Sequence, residues 1–333
     1  MPVDFNHLFH QFTELKVGVV GDLMLDTYWW GRVDRISPEA PVPVVAVAKK
    51  EQRIGGAGNV ALNVRSLGAK VSMLSVLGDD SDGEQLTKLL QNEGINTEYL
   101  VKSGQRITTN KIRIISRNQQ MMRLDAEHTE DMIENDEDKL LAAFENFIAA
   151  EKPHVIILED YNKGVLTINV IKAIIGVCKK YSILTTVDPK RKNFFAYNGV
   201  DIFKPNLNEA KEGLNIIGEG AGLLLLEDIH SSLVKKLQHR VSFITLSEKG
   251  VFYQEGTQSA LIPTHIRNVA DVSGAGDTVI AVASLVFAAT GDVELMAEIA
   301  NIAGGLVCEE VGTVAVNKDK LLRECKMLLT SDH

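Results

Sequence analysis

The sequence predicts an α/β protein with a mainly parallel central sheet flanked by helices, and a small antiparallel β lid beside it. Three observations carry that reading. Short apolar runs alternate with helix-period stretches along nearly the whole chain. No Gly/Ser or Pro-rich linker and no solenoid-length repeat divides the 333 residues. Two segments break the rhythm with a strand-like pattern of their own. The apolar runs at 17–20, 71–77, 155–158, 183–187, 201–203 and 243–246 read as strands, and 138–150 and 168–180 read as helices between them. Strand then helix, repeated, implies a sheet covered on both faces, so 1–333 is expected to be a single domain. The exceptions are 30–48, rich in Pro and β-branched residues, and 107–124, which reads as two strands around a polar turn at 116–119. They define lid segments of about 27–50 and 105–125, close to the carboxyl ends of the strands where open α/β sheets bind ligands. The alternative is an edge hairpin with no part in binding.

Composition narrows the function. With 45% hydrophobic and 24% charged residues the chain has the means to bury a core, which excludes a disordered class. The formal net charge of −9, without a long basic run, argues against nucleic acid or an anionic membrane as partner. A local basic pocket for a phosphorylated metabolite stays open. The cysteines, Cys178, Cys308 and Cys325, are odd in number and lack metal-like spacing, as expected of reduced thiols in a cytoplasmic protein. Residues 1–15 contain no signal-peptide core, and the most apolar helix, 279–289, is too short for a bilayer.

The strongest chemical signal is Asp271-Val272-Ser273-Gly274-Ala275-Gly276-Asp277-Thr278, followed at once by that apolar helix. Small residues let the backbone approach a ligand closely. The N–H groups of Gly274, Ala275 and Gly276 open a helix and suit an anion. An acidic residue inside an anion pocket makes sense if Asp277 accepts a hydroxyl proton while the amides hold a transferring phosphoryl group. The plainer alternative is a stabilising Asp in a helix's first turn. A second motif, Gly55-Gly56-Ala57-Gly58-Asn59-Val60-Ala61, fits GxGxxA, with Asp79 and Asp80 downstream as a dinucleotide site would have. That reading needs a buried strand running into the glycines, and the charged Lys49-Lys50-Glu51-Gln52-Arg53 precedes them. Otherwise Gly56 brings backbone close to a sugar and Asn59 hydrogen-bonds its hydroxyls. Third, Asp22 ends the first strand with Asp26 shortly after it; both suit paired sugar hydroxyls, or cap turns. No GxxxxGK[ST] loop exists, which excludes a P-loop kinase.

In this order and spacing the two glycine motifs resemble the signatures of the ribokinase-like (PfkB) carbohydrate kinases. Lys204-Pro205-Asn206-Leu207-Asn208-Glu209 resembles that family's N-x-x-E motif. The resemblance implies that Asn206 and Glu209 organise Mg2+ and the ATP phosphates, Glu209 acting on the metal through water. Thr245-Leu246-Ser247-Glu248-Lys249-Gly250 resembles the nucleotide-side loop, and Asn301 falls where the adenine pocket is lined. The resemblance also implies a monovalent cation such as K+ at Asp271, and a homodimer formed through the accessory sheet; Trp29, Trp30 and the Pro-rich strand would suit such a contact, and core packing explains them equally well.

Gly21-Asp22-Leu23-Met24-Leu25-Asp26-Thr27-Tyr28-Trp29 and Arg35-Ile36-Ser37-Pro38-Glu39-Ala40-Pro41 look like the D-glycero-β-D-manno-heptose-7-phosphate kinase branch. Ser116-Arg117-Asn118-Gln119-Gln120, Asp160-Tyr161-Asn162-Lys163-Gly164 and Asp188-Pro189-Lys190 agree with it. That branch phosphorylates the anomeric hydroxyl for ADP-heptose and lipopolysaccharide core synthesis, and many members carry a fused adenylyltransferase. Here that activity would belong to a separate partner or to a longer chain. Arg191 and Lys192 stand where such relatives usually have Gly after Asp-Pro-Lys. Lys190 becomes a helper at the transferring phosphate. The substrate's own phosphate needs cations, for which Lys111, Arg113, Arg117, Arg123 and Lys163 are candidates, Lys111 and Arg113 sharing one strand face. Another sugar substrate (fructose 6-phosphate or ribose), or a non-catalytic sugar-binding regulator, stays open.

Overall fold

The computed structural model describes residues 3–117, 119–218, 220–265 and 267–329. Asn118, in the turn expected at 116–119, lies outside them. Strands β1 (Lys16–Gly21), β2 (Leu23–Ile36), β3 (Pro43–Gly56), β4 (Lys70–Gly78), β5 (Leu100–Ser103), β6 (Asn110–Ser116) and β7 (Gln119–Ala126) are followed by β8 (Val155–Glu159), β9 (Leu184–Asp188), β10 (Ile202–Phe203), β11 (Val241–Thr245), β12 (Val251–Glu255) and β13 (Gln258–Ile262). Among the described residues they form two sheets. The larger has the order β13-β12-β11-β10-β9-β8-β1-β4-β5. It is parallel from β5 through β11, with β12 and β13 antiparallel at one edge.

Successive residues of the buried strands pack to opposite faces, which is why both faces need apolar side chains. Val19, Met73, Ile157 and Phe243 join a core beneath helices Phe5–Gln11, Ala57–Ser66, Ala275–Thr290 and Val293–Val307. Their neighbours Val20, Leu74, Ile156 and Ile244 join a second core beneath Glu134–Glu151, Ile168–Tyr181 and Leu223–Leu237. Phe147 is buried in that second core, and truncating such a side chain to Ala costs about 3–5 kcal/mol.

The smaller sheet has the order β3-β2-β6-β7. Its outer pairs are antiparallel, while the central pair β2–β6 runs parallel. The segments expected at 27–50 and 105–125 fall in and beside these strands. The charged run Lys49 to Arg53 lies in β3 and does lead straight into the glycines, but as an edge strand of the smaller sheet, where charge is solvated. Both strands of the β2–β3 ribbon are tied, at the end where Leu23 pairs with Gly56, to the carboxyl edge of the larger sheet. β1 passes through Asp22 into β2, and β3 passes through Gly56 into helix Ala57–Ser66. Gly56 has φ +58°, and a Cβ there would lie 2.4 Å from the Asp22 carbonyl oxygen, so only glycine closes this junction. Register then sorts the side chains. Asp26, Tyr28, Arg53, Lys111 and Arg113 share one face, with Trp29, Ile112, Ile114, Met122 and Leu124 on the other.

Candidate active site

The start of helix Ala275–Thr290 is set by Gly274, in the left-handed conformation at φ +79°, where a Cβ would meet Asn59 Nδ2 at 2.7 Å. Asp277 follows in the first turn, and Gly274, Ala275 and Gly276 begin the helix around it. Its carboxylate is buried and held from two sides: Asn59 Nδ2 donates to Oδ2 at 2.8 Å and the Tyr161 hydroxyl donates to Oδ1 at 2.7 Å. Burial raises its pKa to about 6, although the two hydrogen bonds favour the ionised form. A carboxyl poised there can take a proton near neutral pH. Asn59, expected on sugar hydroxyls, here serves Asp277.

Sheet register builds the rest of the floor. Gly21, Glu159 and Asp188 stand level at the ends of β1, β8 and β9. Lys204 follows β10 and bridges Asp188 at 2.7 Å, while Lys190 bridges Asp188 at 3.1 Å and Glu209 at 2.8 Å. Burial works against ionisation of Asp188, but the Lys190 and Lys204 ammonium groups outweigh it and hold the carboxyl below its ordinary value. Lys190, despite its own burial, is pushed up by Asp188 and Glu209 and carries its charge throughout the working pH range. Glu159 is fully buried, and neither of its oxygens has a hydrogen-bond partner among the described residues. Burial, with Asp188 and Asp277 nearby, drives its pKa well above the ordinary range.

On the side of the smaller sheet the expected sugar ligands divide. Asp22 is buried, and its oxygens accept the backbone N–H groups of Tyr161 (2.8 Å), Lys163 (3.0 Å) and Val165 (3.1 Å). It therefore fixes the loop that carries Tyr161, where the sequence suggested a carboxylate presented to sugar hydroxyls. Asp26 pairs with Arg113 at 2.5 Å, so neither stands as an independent charge. Lys163 pairs with Glu127 at 2.8 Å, and Lys111 lies 5.6 Å from the centre of the Tyr161 ring. Burial, and then Lys163, lowers the Lys111 pKa. Lys111 and Arg113 thus share a strand face, and Lys163 is close enough to Lys111 for the two charges to be felt. Arg123 is turned to Asp125 at 2.8 Å, and Arg117 sits in the exposed turn after β6 with φ +50°.

The nucleotide-side candidates gather on the other flank. Asn206 and Glu209 form a reciprocal capping box at the start of helix Leu207–Leu214, each side chain accepting the other's backbone N–H at 2.8 Å. The second Glu209 oxygen meets Lys190. Ser247 (φ +55°) and Gly250 (φ +98°) shape the turn after β11, which packs on the Ile262–Pro263 backbone. Asn301 anchors that same backbone, donating to the Pro263 carbonyl at 2.9 Å. Asp271 accepts the N–H groups of Ser273 and Gly312, both at 2.9 Å, which lowers its pKa against a raising effect of burial.

A helix N-terminus, Lys190 and Lys204 lie beside the buried Asp277 carboxyl, a set of groups of the kind that receives phosphate. Residues 14–320 match the family described as pfkB family carbohydrate kinase. The chain belongs to the pfkB family of carbohydrate kinases. It is accordingly a phosphotransferase that acts on a sugar hydroxyl. Among curated proteins, the bifunctional protein HldE of Geotalea uraniireducens is 37% identical over 96% of this chain and 65% of its own length. HldE of Aliarcobacter butzleri is 40% identical over 91% of this chain and 63% of its own. The chain therefore spans just under two-thirds of these relatives. Among solved structures, phosphofructokinase-2 of Escherichia coli in complex with potassium superimposes with a TM-score of 0.78, at 18% identity, over 93% of this chain and 97% of that one, and establishes the fold.

Within this pfkB kinase, sequence reasoning singled out neither Tyr161 nor Glu159 as a site residue, nor the Asp188–Lys204 bridge. A signal existed for Glu159: it closes an otherwise apolar strand at its carboxyl end. A cavity of about 1010 Å³ lies beside His154, Tyr181 and Arg240, at the amino-terminal ends of β8, β9 and β11 and away from this chemistry. No described helix is long and apolar enough to cross a membrane.

Proposed function

We propose that this kinase phosphorylates the anomeric hydroxyl of D-glycero-β-D-manno-heptose 7-phosphate, giving the 1,7-bisphosphate for ADP-heptose and lipopolysaccharide core synthesis. The observation that carries it is Asp277 at a helix start, with Lys190 and Lys204 on one flank and Lys111, Arg113 and Lys163 on the other. Cations on both flanks suit two phosphorylated ligands, and the Asp22 and Asp160 motifs resemble the heptose-phosphate branch.

ATP lies along the carboxyl edge, its adenine toward Asn301 and the 247–250 turn. The sugar lies between the sheets, near Gly56 and Asn59, with its phosphate toward Lys111. The attacking hydroxyl gives its proton to Asp277 as its oxygen bonds to the γ-phosphorus. The bond from that phosphorus to the bridging oxygen breaks and ADP leaves. The amides of Gly274, Ala275 and Gly276 receive charge on the transferred group, and Lys190 assists. Among the described residues no group of three His, Cys, Asp or Glu side chains converges to cage a metal. That fits Mg2+ held mainly by phosphates and water, with Glu209 acting through water. Bound there, Mg2+ would neutralise phosphate charge. At Asp271 we place a monovalent cation; an unchanged rate when potassium is replaced by a large organic cation would remove it.

Residues 1–333 act as one kinase unit with the smaller sheet as its lid. The exposed apolar side chains Met122 and Leu124 on that sheet suit pairing of two copies. An adenylyltransferase, fused in a longer chain or separate, would use the product. The test is ADP release with magnesium-ATP on heptose 7-phosphate, sedoheptulose 7-phosphate, fructose 6-phosphate, ribose and no sugar. Turnover on the heptose phosphate alone is expected. Turnover on another sugar keeps the family and discards the substrate, and silence on all removes the catalytic reading.

A further inference from the structure

Tyr161 joins three parts of the site that come from different elements. Its hydroxyl donates to Asp277 Oδ1 at 2.7 Å. Its ring lies 5.6 Å from Lys111 Nζ of the smaller sheet and 5.8 Å from Lys190 Nζ of the larger one, both within cation–π range. Its own backbone N–H is held at 2.8 Å by the buried Asp22. The residue is thus held through its backbone, its ring and its hydroxyl, and its one polar side-chain atom meets Asp277.

We propose that Tyr161 is a positioning residue for the transfer, holding Asp277 in its reactive orientation and keeping it ionised. This rests on Asp277 being the base. The groups facing Asp277 are Asn59 from helix Ala57–Ser66, Glu159 and Tyr161 from β8 and its loop, Asp188 from β9, Lys190 beyond it, and Lys204 after β10. Asn59 and Tyr161 are the direct donors in that shell. Loss of the hydroxyl removes one of the two hydrogen bonds that oppose the effect of burial at Asp277, which favours the protonated, unreactive form. The phenol itself stays protonated, because burial and then Asp277 raise its pKa well above the ordinary value.

The test is Tyr161→Phe, which removes one oxygen and keeps the ring between the two lysines. Tyr197→Phe is the control, since Tyr197 makes an equivalent 2.7 Å bond to Asp160 next door. Loss of a hydrogen bond to a charged group should lower kcat about ten- to a hundredfold in Tyr161→Phe. The acid limb of its kcat profile should also move to higher pH relative to wild type. Ionisations of the substrates are common to both enzymes, so a difference between profiles belongs to the protein. Tyr197→Phe should leave the limb in place. An unmoved limb in Tyr161→Phe, whether or not kcat falls, overturns the proposal, because a merely structural role lowers turnover without moving it. Should Tyr161→Phe not fold, wild-type enzyme labelled at the tyrosine ring carbon bearing oxygen gives a second reading. The Tyr161 resonance should step as Asp277 titrates and lose that step in Asp277→Asn; the absence of a step in wild type overturns the proposal. If Asp277→Asn keeps near-normal turnover, the base assignment fails instead, whatever Tyr161 does.

Discussion

Asn59 of the first glycine motif donates a 2.8 Å hydrogen bond to Asp277 of the second, across 218 residues of chain. The two motifs are therefore one structure: the helix that leaves β3 supplies a donor to the carboxylate at the start of another helix. Gly274 packs against the same amide, so this contact also sets how closely the two helix starts approach. Replacing Asn59 by Asp would put two carboxyls at hydrogen-bond distance, and such a pair shares one proton at neutral pH. Asn59→Asp is expected to shift the acid limb of kcat toward alkaline pH and to lower turnover at pH 7 at least tenfold. A pH–rate profile identical to wild type would show that Asn59 does not govern the ionisation of Asp277.

Asp277→Asn separates activity from stability. Turnover should fall by about 10²–10⁴, the usual worth of general-base assistance. Stability should move the other way. The folded-state pKa of about 6 lies above the ordinary 3.8, so the folded protein holds this proton more tightly than the unfolded chain. The resulting stability is fully present below pH 3.8 and is lost as pH rises through 6, an effect of up to about 3 kcal/mol. Denaturant titrations at pH 5 and pH 8 should show wild type losing stability across that interval, and Asp277→Asn losing less.

The alternating packing of Val19 and Val20, or Ile156 and Ile157, to opposite faces was legible because strand periodicity is local. So was the helix start at Gly274, where backbone demands and small residues coincide in a few positions. Asp22 was not legible in the same way. What it does depends on amides of residues 161–165, which reach it only when β8 lies beside β1. The Asp188–Lys204 bridge likewise exists because β9 and β10 are register neighbours. The charged run before Gly55 misled in part: charge excludes a central strand but not an edge strand of a second sheet.

Lys111, Arg113 and Lys163 are unequally paired, which ranks their substitutions. Arg113 is paired with Asp26 and Lys163 with Glu127, whereas Lys111 faces the Tyr161 ring and is kept company by a like charge. An incoming phosphate meets less competition at Lys111. Lys111→Met is expected to raise KM for the phosphorylated sugar by tenfold or more, with KM for ATP little changed. Lys163→Met should do less, since it also releases Glu127. Initial-rate measurements with each substrate varied check the ranking, and equal effects on both KM values would deny Lys111 a role at the sugar phosphate.

Glu159 offers a different kind of test because its carboxyl is buried without a hydrogen-bond partner among the described residues, between Asp188 and Asp277. An ionised carboxylate there would be costly, so burial and its acidic neighbours keep the proton on. Glutamine matches that neutral form in size and charge. Because the folded pKa is raised, wild type is most stable below the unfolded pKa of Glu159 and loses this contribution as pH rises through the folded one. Glu159→Gln should therefore match wild type most closely below the unfolded pKa of Glu159 and surpass it by a growing margin from neutral to alkaline pH. Glu159→Ala should be less stable than Glu159→Gln at every pH, since it opens a cavity beside Asp277. Urea unfolding of the three proteins between pH 6 and pH 9 decides the matter. If Glu159→Gln were less stable than wild type across that range, Glu159 would have to be ionised in the folded protein, its charge held by Lys190 and Lys204.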